Sequence, residues 1–303
     1  LKPKTSFLTP LRADIIFGHI CWNIAMNKGD GELQNFLDHF KKNPIFLLSD
    51  GFIDGYLPNP LIRVDKKEKI TKQEKIKIMD SAKKIKKTRF LKMRDFINIC
   101  NGIYDNFDEI AKDNYNDFLI KKEAVMRNCI DKDFERVKRG GGLFSNQEFW
   151  TEDNYSLYIK ILNEELFENF SIIQALKEIF ELFGYGANKS TGKGSFEIVS
   201  IDEFNKFDQL KGNCSILLSH CILKNEEKNV LKNSSYKIEL KYGKLGEQKA
   251  FSDNPFKKPL MQIIPGSVLA TNKEYVGEMI SLTDNKNILD YNYGLLVPIK
   301  LKL

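Results

Sequence analysis

A glycine-rich stretch at residues 184–196 contains the residue types best suited to binding an anion. Its sequence, GYGANKSTGKGSF, includes no acidic residue. The candidate binding residues are four glycines, two lysines and two hydroxyl side chains: Gly184, Gly186, Gly192, Gly194, Lys189, Lys193, Ser190 and Thr191. Glycines let a ligand approach the backbone closely, and N–H groups beside cations suit phosphate. The density of these residues favours contact with a nucleic-acid backbone over a plain flexible turn.

The elements around this stretch exclude the common nucleotide-binding loops. Apolar residues at helical spacing predict a helix over 171–183, with Ser171 and Gln174 as a capping box. The alternation that follows predicts a strand over 196–201. A Walker loop needs the opposite order, strand before helix, and a hydroxyl residue directly after its lysine, where this chain has Gly194. The dinucleotide fingerprint fails as well, because a lysine stands where its third glycine belongs.

A second basic set surrounds a run of three glycines at 140–142. Arginine is rare in this chain, yet three of the seven arginines fall within thirteen residues. The set consists of Arg127, Arg136, Lys138 and Arg139, and Leu143 and Phe144 follow the glycines. Arginine guanidinium groups bind phosphates, and apolar side chains at the tip of a loop disrupt base stacking. We therefore expect an RNA-contacting arm here, and a disordered surface loop is the alternative. Arg12, just after the first predicted strand, is expected to face the same RNA-binding groove as these basic residues.

Two residues near the start of the chain have side chains that could act in catalysis. His19 lies in a helix predicted from Asp14 to about Met26 and could be a general base. No Tyr, Lys or second His is evidently placed with it, so a partly buried, hydrogen-bonded histidine is favoured. Asp14 is expected to cap the helix rather than bind a metal.

Composition describes an ordinary globular chain of 303 residues with a net charge of +6. Residues 66–94 hold thirteen Lys and Arg against three acids, so the rest of the chain carries a net charge of −4. Such a run is most often a solvated face, and electrostatic steering of RNA is the alternative. The five cysteines form no CxxC pair, which argues against zinc and disulfides and for reduced cytosolic thiols. No stretch is long and apolar enough for a membrane span. We therefore expect a cytoplasmic protein with no metal and no cofactor.

Apolar patterns elsewhere predict a chain of mixed α and β structure. Its first part is expected to hold a helix over 32–40 and strands over 1–8, 45–48 and 149–162. The part after residue 207 is expected to be rich in strands, over 215–223, 236–242, 260–264, 267–270, 279–282 and 293–301.

The form GxGxxxSxGxG of the first stretch, between a helix and a strand, resembles the signature of the RAMP proteins of CRISPR systems. Three more stretches, in the expected order, resemble the Csm-type (type III-A) members of that superfamily that hold the 5′ end of the guide RNA. They are FLTPLRADIIFGHICW at 7–22, PIFLLSDGFIDGYLPNP at 44–60 and RNCIDKDFERVKRGGGLF at 127–144.

The resemblance implies an α+β fold of two ferredoxin-like (RRM-like) domains in tandem. The first spans 1–206, with a long basic insertion at about 64–145 and the glycine-rich loop at 184–194. The second, at 207–303, is β-rich and degenerate. The insertion is expected to include a thumb-like projection that contacts the guide RNA. It departs from the usual pattern, because Asp133-Phe134 follows Ile130-Asp131-Lys132, where the family usually continues with a Thr-Gly turn.

The resemblance further implies a non-catalytic, RNA-binding subunit of an antiviral type III-A (Csm) interference complex. Such a subunit seats the repeat-derived 5′ tag of the crRNA, joins the large polymerase-like subunit to the backbone RAMP subunits, and meets target RNA only indirectly. Three alternatives stay open. They are a metal-independent endoribonuclease with His19 as base, a divalent-metal nuclease built on Asp14, and a structural adaptor that binds protein only.

Overall fold

The computed structural model describes residues 1–62, 88–103, 120–131, 136–137, 142–246, 249–250 and 252–301. Most of the basic run at 66–94 lies outside the described residues, and so do Lys138 and Arg139. Among the described residues, no helix has the length and hydropathy to cross a membrane.

Two helices near the start of the chain cover one side of the core. Helix α1, Ala13–Lys28, is apolar on most sides, and Gly29 ends it at a φ of 87°. Helix α2, Asp30–Lys42, buries Phe36, Leu37 and Phe40 on one face. The other helices of the described residues are α3, Met93–Cys100; α4, Glu164–Asn169; and α5, Ile172–Lys177, which continues as a π-helical turn at Glu178–Phe183. Segments of 3₁₀ helix lie at Lys189–Thr191 and Asn225–Asn233.

Short strands connect these helices. Those of the first half are β1, Lys2–Pro3; β2, Phe46–Leu48; β3, Phe52–Ile53; β4, Tyr56–Pro58; β5, Phe90–Lys92; β6, Lys121–Asn128; β7, Ile130–Asp131; β8, Arg136–Val137; β9, Leu143–Trp150; β10, Tyr155–Ser156; β11, Ile159–Ile161; and β12, Phe196–Glu197. Those of the second half are β13, Cys214–Leu217; β14, Ile238–Lys241; β15, Leu260–Ile263; β16, Val268–Leu269; β17, Tyr275–Val276; and β18, Gly294–Ile299. The predicted mixture of α and β structure is confirmed.

All of the strand pairs in the first half are antiparallel within the described residues. β1 pairs with β12, β2 with β11, β3 with β10 and β4 with β5. Phe7, which follows β1 in the chain, forms an isolated bridge to Phe149. Phe149 lies in the segment that leads into β10. If β1, β2–β3, β10–β11 and β12 are counted as the first to fourth strands, the fourth lies beside the first, the first beside the third, and the third beside the second.

The longest antiparallel pair is the two-stranded ribbon of β6 and β9, from Lys121 opposite Trp150 to Asn128 opposite Leu143. Most of its side chains are exposed, because neither face is covered along its length. Its root is fixed, since Phe149 and Phe7 exchange both backbone hydrogen bonds and their rings stack at 5.7 Å. The ribbon therefore projects from the body of the protein.

One continuous hydrophobic core joins the two halves of the chain. In the second half, the sheet order is β16-β13-β18-β17. Tyr291 packs its ring 5.0 Å from that of Phe17 in α1, and its hydroxyl accepts a hydrogen bond from Leu48 N at 2.9 Å. Tyr293 donates to the carbonyl of Phe40 at the end of α2. The predicted boundary at 206/207 falls in an irregular segment, but the core crosses it.

Two predicted helix caps are wrong. Ser171 precedes α5 in a left-handed conformation with a φ of 53° and makes no capping hydrogen bond. Asp14 lies inside the first turn of α1, where its side chain is buried. The carboxylate that caps α1 is that of Asp50, which accepts from Ala13 N at 2.9 Å. The local pattern missed Asp50 because it comes from a different segment of the chain.

Several predicted strands are shorter in the structure, such as the strand expected over 215–223, which ends at Leu217. The strand expected over 1–8 is paired only at Lys2–Pro3, with the isolated bridge at Phe7. The strand expected over 196–201 ends at Glu197, because Ile198 N donates to the side chain of Glu181 instead of a neighbouring strand. The strand expected over 279–282 is reduced to one isolated bridge.

Candidate nucleic-acid interface

The glycine-rich loop begins where the π-helical turn ends, and its glycines are needed by its own backbone. Gly184, Gly186, Gly192 and Gly194 all have φ values between 71° and 80°, which side chains other than glycine adopt only with strain. A Cβ on Gly194 would lie 1.9 Å from the carbonyl oxygen of Tyr185. A Cβ on Gly186 would lie 2.5 Å from Thr9, whereas Gly192 faces open space. Three of the four glycines therefore serve close packing as well as backbone shape.

Much of the loop's backbone is hydrogen-bonded within the protein. Gly186 N donates to His19 Nε2 at 3.0 Å, and Ala187 N donates to Thr9 Oγ1 at 3.0 Å. Gly194 N donates to the carbonyl of Ser6 at 2.9 Å, and Tyr185 N donates to the carbonyl of Gly194 at 2.7 Å. These N–H groups, which we expected to meet phosphate, are directed inward. The loop's exposed part is instead the turn that contains Ser190, Thr191 and Gly192.

The lysine at the end of the loop meets the root of the ribbon at a buried carboxylate. Lys193 Nζ donates to Glu148 Oε2 at 2.7 Å and to Ser6 Oγ at 2.8 Å. Arg127 Nη2, from the opposite strand of the ribbon, donates to Glu148 Oε1 at 2.8 Å. Ser6 Oγ also donates to Glu148 Oε2 at 2.6 Å. One carboxylate thus holds a cation from the glycine loop beside a cation from the ribbon.

The electrostatics of this cluster favour the ionised acid. Burial of the Glu148 side chain by itself raises its pKa, but the hydrogen bonds from Lys193, Ser6 and Arg127 outweigh burial and lower the pKa to about 2. Two cations against one anion leave a surplus positive charge. The side chains of Lys193 and Arg127 stay 19% and 27% exposed, so they can reach a ligand at the surface. The cluster therefore has the charge and the access that a phosphate contact needs.

The ribbon face that carries Glu148 also presents aromatic rings. Alternate residues of β9 share a face, so Phe144, Glu148 and Trp150 point the same way, and Arg127 lies opposite Phe144. Phe144 is 44% exposed and Trp150 is 41% exposed. Lys193 Nζ lies 5.3 Å from the centroid of the Trp150 ring. Basic and aromatic side chains therefore share one surface at the junction of loop and ribbon, together with Glu123, which lies opposite Glu148.

Arg12 is directed away from this surface. Its backbone N–H donates to Tyr185 Oη, which lies under the loop. Its guanidinium is mostly buried, donates to Gln262 Oε1 and lies 3.5 Å from Asp14 Oδ1. We expected Arg12 to lie beside the arginines of the ribbon. The structure instead connects Arg12 to the second half of the chain through these contacts.

The two residues considered for catalysis have structural contacts. His19 is partly buried, as expected, and its ring lies 5.2 Å from that of Tyr185 while Nε2 accepts from the glycine loop. Asp14 is buried and ion-paired with Lys241 and Arg12. Burial raises the pKa of Asp14, but the charges of Lys241 and Arg12, together with the hydrogen bonds from Lys241 and Gln262, lower it below its ordinary value. Among the described residues, no group of three His, Cys, Asp or Glu side chains is arranged to hold a metal.

The structure brings together only part of the predicted site. The glycine loop, Lys193 and Arg127 meet, while Arg136 is described only as backbone paired with Asp131 in a small hairpin. Sequence reasoning missed Glu148 and Trp150. The alternation of the strand that ends at Trp150 would have placed both on one face, but no local signal linked that face to the glycine loop.

No protein-family model and no curated protein matches the sequence. Solved structures with the same fold are Csm4 chains of type III-A CRISPR-Cas complexes. One is the crystal structure of a Csm1-Csm4 cassette in complex with cA4, with 17% identity, coverage of 100% of this chain and 97% of that chain, and a TM-score of 0.59. Another is the Csm3-Csm4 subcomplex of the type III-A interference complex, with 16% identity, coverage of 99% and 98%, and a TM-score of 0.64.

By its fold, the chain is similar to the class of CRISPR-Cas effector subunits. Within that class, its fold is that of Csm4. These likenesses extend over nearly the whole of both chains. The likeness to Csm4 therefore extends over the structure as a whole, and not only over the glycine-rich loop.

Proposed function

We propose that this chain is the non-catalytic subunit of a type III-A interference complex that seats the repeat-derived 5′ tag of the crRNA. The observation that carries the proposal is the meeting of Lys193 and Arg127 on Glu148. The two segments independently expected to contact RNA, the glycine loop and the ribbon, contribute to one basic surface. A single backbone segment of the guide RNA can cross both.

The RNA contact follows from the exposed chemistry of this surface. Lys193 and Arg127 supply cations for phosphate oxygens, and the turn with Ser190 and Thr191 supplies exposed hydroxyl groups. The inward hydrogen bonds of the loop keep that turn in one shape. The proposed recognition is therefore by positioning of the sugar-phosphate chain, with the loop as a rigid support rather than as a cradle of free N–H groups.

The proposed architecture is two ferredoxin-like domains in tandem, at 1–206 and 207–303. Support for the first comes from its strand order, in which the last strand lies beside the first and the first beside the third, as in a split β-α-β unit. The second is proposed as a degenerate copy on the weaker ground of its four-stranded antiparallel sheet.

The proposed partners are the large polymerase-like subunit and the backbone RAMP subunit, in the cytoplasm. Csm4 chains with this fold were solved with Csm1 and with Csm3, which supports a subunit with two protein partners. Target RNA would then meet this chain only through the guide.

The test is to incubate the purified chain with a labelled RNA that carries the repeat of its own CRISPR locus, with and without Mg²⁺. We expect intact RNA to be retained, with affinity that falls as salt rises. Cleavage without metal that His19→Ala abolishes would identify a processing nuclease instead. Absence of any salt-dependent retention would favour an adaptor that binds protein only.

A further inference from the structure

Trp150 is a large exposed aromatic residue at the root of the ribbon. Its side chain is 41% exposed, although the neighbouring Phe149 packs into the core. Lys121 is its cross-strand partner, and Lys193 Nζ lies over its ring. Trp150 therefore presents part of an indole ring to solvent between two lysines.

The ring and its cation are held in place by the surrounding contacts. Phe149 and Phe7 fix the backbone next to Trp150 through two hydrogen bonds. Glu148 and Ser6 hold the ammonium of Lys193, which lies 5.3 Å from the ring centroid. Neither the ring nor the cation has to be ordered by a ligand, which lowers the entropy cost of binding.

We propose that Trp150 is a stacking site for one unpaired base of the guide RNA, whose phosphate lies against Lys193 and Arg127. This inference rests on the proposed function and adds the base contact to it. An indole face stacks on any nucleobase, and single-stranded RNA is typically bound by aromatic rings set along a basic groove. Three cations border this face, Lys121, Arg127 and Lys193, against two acids, Glu148 and Glu123, so the net positive charge favours an anionic occupant over an apolar protein surface.

The chain offers a direct spectroscopic test because it contains two tryptophans, Trp22 and Trp150. In a Trp22→Phe variant of the full chain, Trp150 is the sole source of indole emission. We expect a single-stranded RNA of mixed sequence to quench that emission, with a midpoint equal to the affinity measured by filter retention of the same labelled RNA.

Substitutions separate stacking from charge. Trp150→Ala is expected to weaken retention about tenfold while the dependence on salt stays as in the wild type. Trp150→Phe should restore part of the affinity. The matched control is Phe256→Ala, since Phe256 is a 67% exposed aromatic residue in the second half of the chain, with Lys244 Nζ 5.7 Å from its ring centroid. It should bind as the wild type does.

The outcomes distinguish this inference from the function on which it rests. Salt-dependent retention with unchanged Trp150 emission and wild-type affinity for Trp150→Ala would overturn the stacking site alone. Loss of a co-purified protein subunit from Trp150→Ala, with RNA affinity intact, would assign the ring to a protein interface and overturn it too. If the wild-type chain retains no RNA, the proposed function and the stacking site both fall.

Discussion

Glu148 connects the glycine loop to the ribbon, although no local motif marks it. It accepts hydrogen bonds from Ser6, Arg127 and Lys193, which come from three separate segments of the chain. A buried carboxylate with charged donors contributes to stability only while it stays ionised. Its role is therefore visible in the pH dependence of folding as well as in RNA binding.

Glu148→Gln is expected to destabilise the fold by about 2 kcal/mol at neutral pH, because it weakens charged hydrogen bonds to a buried group. The folded pKa of about 2 lies below the ordinary 4.5, so this stabilisation is present above about pH 4.5 and is lost as pH falls toward 2. Urea unfolding of wild type and variant across this range measures it. A difference that stays constant down to low pH would contradict the prediction.

The glycines of the loop differ in what a side chain would meet. Gly194→Ala is expected to cost more than about 3 kcal/mol, because the new Cβ would overlap the carbonyl of Tyr185 and φ is positive. Gly192→Ala, at a similar φ but in open space, should cost about 1–2 kcal/mol. Thermal unfolding of the pair checks this, and equal losses would mean that backbone strain alone requires glycine in the loop.

Local sequence signals placed these residues correctly only where the contact is local. The positive φ values of the loop glycines and the end of the preceding helix at Gly184 agree with the sequence pattern. The partners of Lys193 were not predictable, since Ser6 is 187 positions away and Glu148 is 45 positions away. The cap of α1 failed for the same reason, because Asp50 lies 37 residues beyond the N–H group that it accepts from.

At the scale of elements, α1 is held at its start by a carboxylate that also contacts the second half. Asp50 accepts from Ala13 N and pairs with His220 Nδ1 at 2.5 Å, while His220 Nε2 lies 3.2 Å from Glu239 in β14. Burial lowers the pKa of His220, but the charge and the hydrogen bond of Asp50 raise it above the ordinary 6.5. The start of α1 and the second half are thus linked through one histidine, whose protonated form these contacts favour.

This link predicts a pH dependence. Because the folded pKa of His220 is raised, its contribution to stability is complete below about pH 6.5 and is lost as pH rises through the folded value. His220→Asn should remove that part of the pH dependence and be less stable than wild type at pH 6. Urea midpoints between about pH 6 and pH 9 measure the effect. Parallel curves for both proteins would show that the histidine does not titrate with folding.

The lengths of elements followed the sequence best where apolar periodicity is strong. α2 was predicted over 32–40 and runs from Asp30 to Lys42, since its buried residues Phe36, Leu37 and Phe40 recur on one face. The short strands were predicted less well, because their ends depend on partners from elsewhere in the chain. Residues 196–201 alternate as a strand would, yet pairing ends at Glu197.

At the scale of the whole molecule, the shared core joins the halves while the ribbon projects from them. Phe17, Phe40 and Tyr291 pack together across the predicted domain boundary, so the two halves keep a fixed relation. The same packing brings the glycine loop into contact with the root of the ribbon. Local sequence patterns did not predict this contact. The central claim is that loop and ribbon form one RNA-binding surface.

The most direct measurement of that claim is the salt dependence of RNA affinity for wild type, Lys193→Gln, Arg127→Gln and the double variant. Glutamine keeps a donor for Glu148, so each change removes charge with little effect on shape. Lys232→Gln, at an exposed position in the second half, is the control.

We predict that the slope of log K against log salt falls in magnitude by about 0.7 for each single variant and by about twice that for the double variant. The control should keep the wild-type slope. Wild-type slopes in Lys193→Gln, Arg127→Gln and the double variant would contradict the claim that this surface holds the guide RNA.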